Sequence, residues 1–152
     1  MSLDLRESLS RVPTPVTVVT TLHDSAPHGT TVSAFCSLSA EPPLVLVALD
    51  GGSVLLEKLH LCRNFGISLL AHDQSHIALA CASKRADKFS DIPWHDDGGV
   101  PRIEGTSGWF RCDVEELLPG GDHTIVIGRV TDHDSNDTVP LVYHRRAFTI
   151  PS

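Results

Sequence analysis

Short apolar blocks separated by turn residues dominate the chain, and few are long enough for a full helix. Leu5, Leu9 and Val12 recur at helical spacing, so residues 3–11 read as a short helix that Pro13 and Pro15 end. Val16 to Thr21 is dense in β-branched residues and reads as a strand. Asp24 to Gly29 has turn chemistry, and Thr30 to Phe35 reads as a second strand. Glu41-Pro42-Pro43 breaks the chain before a buried strand, Leu44 to Leu49. Asp50-Gly51-Gly52-Ser53 is a turn, and Ser53 is suited to cap a helix running through Cys62. Asn64 to Leu70 is another strand. Asp73 is placed to cap a helix from Gln74 to Ser83, whose apolar content is Ile77, Leu79, Ala80 and Ala82. Residues 84–108 are polar and turn-rich. Trp109 to Leu117 alternates as a strand does, Pro119-Gly120-Gly121 turns the chain, and Thr124 to Thr131 follows as a strand. Leu141 to Tyr143 and Phe148 to Ile150 supply the last pairings.

Six or seven strands with two or three short helices, at regular spacing, predict a mainly β protein. A barrel fits better than a parallel α/β sheet, and closure removes exposed edges. Residues 1–152 form one domain, long enough for a real core. The formal charge of −7, from 12 basic and 19 acidic residues, argues against nucleic acid and anionic membranes as partners. No apolar run approaches the ~18 residues of a membrane span. The start, Met1 to Glu7, lacks an apolar signal region, so a cytoplasmic protein is expected. Cys36, Cys62, Cys81 and Cys112 form no C-x-x-C pair and read as reduced core residues. His72 and His76 stand four apart, but Asp73 follows His72 where a zinc protease needs Glu, so no metal site is expected. There is no dinucleotide-fold glycine fingerprint, no phosphate-binding P-loop and no nucleophile elbow.

Three segments carry candidate chemistry. Hydroxyl residues crowd residues 30–39: Thr30, Thr31, Ser33, Ser37 and Ser39. On an unbroken strand Thr31, Ser33, Ser37 and Ser39 share one face. That face is either a row of donors for a phosphate or ring carbonyl, or the polar outside of a half-buried strand. Ser83-Lys84-Arg85-Ala86-Asp87-Lys88 is a cation-rich run in an acidic protein. It suits either a phosphate or the negative end of the preceding helix. His123 follows a Gly-Gly turn at the mouth of a strand, with Asp122 beside it to orient the ring.

Thr31-Val32-Ser33-Ala34-Phe35, followed by Ser37-x-Ser39-x-x-Pro42-Pro43-Leu44, resembles the signature of the flavin reductase family with an FMN-binding split barrel. Val16 to Thr20, Ala86-Asp87-Lys88-Phe89, Gly121-Asp122-His123 and Pro140 to Tyr143 match the same family in order. These are the short reductase components of two-component flavin monooxygenases. The resemblance implies a homodimeric six-stranded antiparallel split barrel with flavin near the subunit interface. It implies that Thr30, Thr31, Ser33 and Ala34 face the flavin ring or ribityl chain. Ser37, Ser39 and Ser53 would follow the ribityl phosphate. Ser83, Lys84 and Lys88 would be phosphate partners, with Phe89 packed nearby. Asp50 would sit at the strand end beside the flavin, His123 with Asp122 would meet the nicotinamide, and Tyr143 would enclose it.

The implied activity is hydride transfer from NADH, or NADPH, to FAD or FMN. The reduced flavin would diffuse to a separate flavin-dependent monooxygenase in aromatic or natural-product hydroxylation. Hydride transfer requires close stacking rather than an acid or base, so His123 is assigned to positioning first and proton supply second. Rival readings are a flavin carrier without turnover, a flavin oxidase on a related barrel, and a non-enzymatic dimeric module. The family usually has an aromatic residue and a Gly around Val12 and Pro15. Pro15 fixes φ where Gly was free, so no ligand contact is carried over to the start of that strand.

Overall fold

The computed structural model describes residues 2–152 (for Leu3, the backbone alone); Met1 lies outside the described residues. Ser2 caps α1 (Leu3–Ser10), its hydroxyl accepting from the Leu5 N–H. The short β1 (Thr14–Pro15) precedes β2 (Thr17–His23), β3 (Ala26–Val32), β4 (Phe35–Ser39) and β5 (Leu44–Asp50). Then come α2 (Val54–Cys62), β6 (Asn64–Leu69) and α3 (Ser75–Ala82). The hairpin β7 (Trp94–Asp97) and β8 (Val100–Ile103) leads into β9 (Gly108–Gly120) and β10 (His123–Ser135). The chain ends on β11 (Val142–His144) and β12 (Ala147–Thr149).

Seven strands form one antiparallel sheet in the order β3-β2-β6-β9-β10-β5-β4. Its two edges, β3 and β4, are joined only by Ser33 and Ala34. A flat sheet of seven strands would hold those edges about 29 Å apart. The three Cα steps from Val32 to Phe35 reach about 11 Å. The sheet therefore rolls until its edges meet at residues 33–34, where the Ala48 N–H donates to the Ala34 carbonyl at 3.0 Å. This seam also breaks the expected strand Thr30 to Phe35, so Thr31 and Ser33 do not share a strand with Ser37 and Ser39.

The core has two parts because β2 is buried on both faces. Val19 points inward with Val47, Phe65, Ile67, Cys112 and Val126, and Leu55, Leu56 and Leu59 of α2 pack against them. Val18 points outward to Leu70, Ile77, Ala78, Cys81, Ile103 and Leu141. Burial of a Val on each side stabilises the strand by about 1.5–3 kcal/mol per side chain. Gly128 fits between strands because a Cβ there would lie 2.6 Å from Phe65 Cζ.

Several expectations are corrected. Only Asp24 and Ser25, both with left-handed φ (52° and 63°), form the first turn; Ala26 to Gly29 is already strand. Asp73 does not cap α3. Gln74 occupies that position, and its buried amide links the Ala71 N–H (2.9 Å) to the Glu104 carbonyl (2.8 Å). Residues 84–108 contain the hairpin β7–β8, turned by Gly98 and Gly99 at φ 62° and 90°. Arg102 and Arg111 pin it by meeting Asp97 from two sides, at 3.0 and 2.8 Å. All four cysteines are free thiols, but Cys36 is exposed and Cys62 half-buried, so only Cys81 and Cys112 are core residues. Burial pushes the Cys81 thiol up to about 11 and Cys112 to about 12. Among the described residues, no helix is long and apolar enough to cross a membrane.

Candidate active site

The seam opens onto a cleft of about 320 Å³. Val16, Ala78, Leu79 and Phe148 supply apolar walls, and Thr31, Ser33, Tyr143 and Arg146 supply polar groups. Tyr143 is fixed from two sides. It pairs in register with Thr14 of β1, and its ring meets Phe148 edge-on at 5.3 Å.

A second group gathers where β5 ends and β10 begins. Asp50 and His123 are register partners, and the Gly51 N–H donates to the Asp122 carbonyl at 2.9 Å. The Asp50 carboxylate is occupied by the Gly52 N–H at 2.8 Å. Ser53 caps α2 as expected, accepting from Leu56 N–H at 3.4 Å. The Asp122 carboxylate lies 2.7 Å from His123 Nδ1, and that hydrogen bond holds the Asp122 carboxyl below the usual carboxylate range. A carboxylate there selects the tautomer with the proton on Nδ1, which leaves Nε2 as an acceptor. Ala34 sits across from Ala48, two residues before Asp50. The seam, Asp50 and His123 thus share one end of the rolled sheet.

Other expected residues lie elsewhere or are already engaged. Thr30 pairs with Val19 and so faces the same side as the Val47 and Phe65 core, while Thr31 pairs with Val18 and faces α3. The Thr31 hydroxyl donates to the Ala78 carbonyl at 2.6 Å. Ser37 opposes Val45 and Ser39 opposes Leu44, at the far end of β5. Leu44 and Asp50 are about 20 Å apart along that strand. Ser83 donates to the Ala80 carbonyl at 2.6 Å. The Lys88 ammonium donates to the carbonyls of Gly29 (3.0 Å) and Cys81 (2.9 Å), and burial holds it below the ordinary lysine value. Phe89 packs on Gly29, where a Cβ would lie 2.8 Å from Phe89 Cζ. Lys84 is exposed, two residues beyond Ala82 of the cleft wall. Sequence reasoning missed Arg146, which no motif marks.

The flavin reductase like domain model matches residues 9–151. The chain belongs to the flavin reductase family. This flavin reductase-family chain is 37% identical over 156 residues to the NADH:FMN oxidoreductase of Rhodococcus qingshengii, covering 98% of this chain and 81% of that protein. It is 34% identical over 145 residues to the reductase component of the 4-nitrophenol 4-monooxygenase/4-nitrocatechol 2-monooxygenase of Rhodococcus opacus, covering 95% and 78%. Its fold is similar to the NADH:FAD oxidoreductase of Streptomyces globisporus solved with NAD and FAD fragments. There the TM-score is 0.92 and the identity 31%, with 97% of this chain and 90% of that one covered.

Proposed function

We propose that this chain oxidises NADH, reduces FAD or FMN, and releases the reduced flavin to a separate flavin-dependent monooxygenase. The observation that supports this reading is the seam: Ser33 of the cleft adjoins Ala34, which meets Ala48, two residues before Asp50, the register partner of His123. A flavin ring is a flat apolar slab with a hydrogen-bonding edge and an anionic tail. The cleft offers apolar walls, the Ser33 and Tyr143 hydroxyls and the Arg146 guanidinium, which fit those three needs. A bound flavin would supply the hydride acceptor.

The chain's own residues orient and enclose. Ser33 and Ala34 present an edge at the seam, and Tyr143 forms a wall. His123, held by Asp122, offers Nε2 to the nicotinamide, and Asp50 fixes the turn beneath it. We further propose that the rolled seven-stranded sheet is the split barrel of the family, with one strand more than the six expected, and that it pairs as a homodimer. Leu5, Leu9 and Val12 beside α1, and Leu38 on β4, are large exposed apolar residues that a second copy would cover. Four free thiols and a need for NADH suit a cytoplasmic setting.

The test is NADH consumption, followed by nicotinamide absorbance, with FAD or FMN added. Flavin-dependent turnover is expected. Flavin binding with no NADH consumption would favour the carrier reading instead.

A further inference from the structure

The β11–β12 hairpin turns on Arg145 and Arg146, with φ of 54° and 61°. Two successive left-handed residues are the geometry that Asn-Gly favours, and arginine does not adopt it freely. Such strain persists where the surroundings hold it, and it gathers at ligand sites. The Arg145 N–H donates to the Ser10 carbonyl at 2.7 Å, tying the turn to α1. Arg146 lines the cleft beside Thr31, Ser33 and Tyr143, and is its one charged lining residue among the described residues. Its guanidinium meets the Glu7 carboxylate at 3.2 Å, with both side chains more than half exposed (58% and 54%). Glu7 also faces Arg11 at 3.5 Å. An exposed pair of this kind is weak, so an anion can displace the carboxylate. Lys88, by contrast, is committed to two backbone carbonyls.

We propose that Arg146 recognises a phosphate of the nucleotide ligand in this cleft, exchanging the Glu7 carboxylate for it. A guanidinium fork matches phosphate oxygens two at a time, which a lysine cannot do. Glycine would relax the strained turn but carries no cation. This inference rests on the flavin reductase reading.

The test measures binding by flavin fluorescence for FMN and for riboflavin, which shares the ring and lacks the phosphate. NADH binding is measured alongside. Arg146→Gln is expected to weaken FMN about tenfold, the loss of one charge-assisted contact, with riboflavin unchanged. Arg146→Gly should weaken FMN equally while raising the melting temperature. Glu7→Gln should tighten FMN. A loss confined to NADH would also support the proposal and assign the phosphate to the nicotinamide nucleotide. Unchanged FMN and NADH binding in Arg146→Gln would overturn it. So would full recovery in the double variant Glu7→Gln/Arg146→Gln, because Arg146 would then only mask Glu7. A wild-type protein that binds no flavin would sink the reductase reading and the inference together. Normal wild-type binding that ignores Arg146 would sink the inference alone.

Discussion

The junction of β3 with α3 and the β11–β12 hairpin border the same cleft and use their polar atoms in opposite ways. At the junction, the Thr31 hydroxyl and the Lys88 ammonium donate to the carbonyls of Ala78, Gly29 and Cys81. These groups fasten a helix to a strand. At the hairpin, Tyr143 is 37% exposed and Arg146 is held by a single exposed carboxylate. Thr31 and Lys88, both in motif segments, hold the floor of the cleft together, whereas the motif residue Tyr143 and the unmarked Arg146 form an exposed rim. Residue type and spacing do not distinguish these roles; the direction of each donor does.

The widest break in this comparison comes from Lys88→Met. It removes a charged donor from two carbonyls and should lower the unfolding free energy by about 2 kcal/mol in urea titration. Riboflavin affinity of the folded protein should stay at the wild-type value. A normal stability with lost FMN binding would move Lys88 from floor to rim.

Thr31→Val follows at about 1 kcal/mol, for one neutral hydrogen bond to the Ala78 carbonyl. The same urea titration measures it, and a larger loss of flavin affinity than of stability would show a second role for the hydroxyl.

The smallest effect lies on β3 away from the cleft. Burial first, then Lys58 and His23, hold the His28 imidazole below its ordinary 6.5. As pH falls below that value the unfolded chain takes the proton first. Stability should therefore decline as pH drops from about 7 towards 5. His28→Gln should flatten this slope in urea midpoints measured against pH; an unchanged slope would assign it to other groups.

Local signals made much of the fold legible. Ser53 marked the start of α2, and β-branched Val16 to Thr21 marked β2. The seam was not legible because Ser33-Ala34 contains no breaker; the end of β3 there is imposed by closure of the sheet's distant edges. The hairpin β7–β8 escaped because Trp94–Asp97 is largely polar, although Gly98-Gly99 signalled its turn. The resemblance to the family, not spacing, singles out Ser33, Asp50, His123 and Tyr143 as one group; the structure sets Ser33 and Tyr143 on the cleft and pairs Asp50 with His123. Strand parity and register, unknown before the structure, separate Thr30 and Ser39 from that group. Arg146 had no signal, since an Arg-Arg pair does not advertise a left-handed turn.

We propose that His123, fixed by Asp122, positions the nicotinamide over a flavin held at the seam. The most direct test is anaerobic mixing of the protein and flavin with NADH, followed by flavin absorbance, for wild type and His123→Ala. Rapid bleaching is expected in the wild type and a rate about 100-fold lower in the variant, at unchanged flavin affinity. Equal bleaching rates in the two proteins would contradict it.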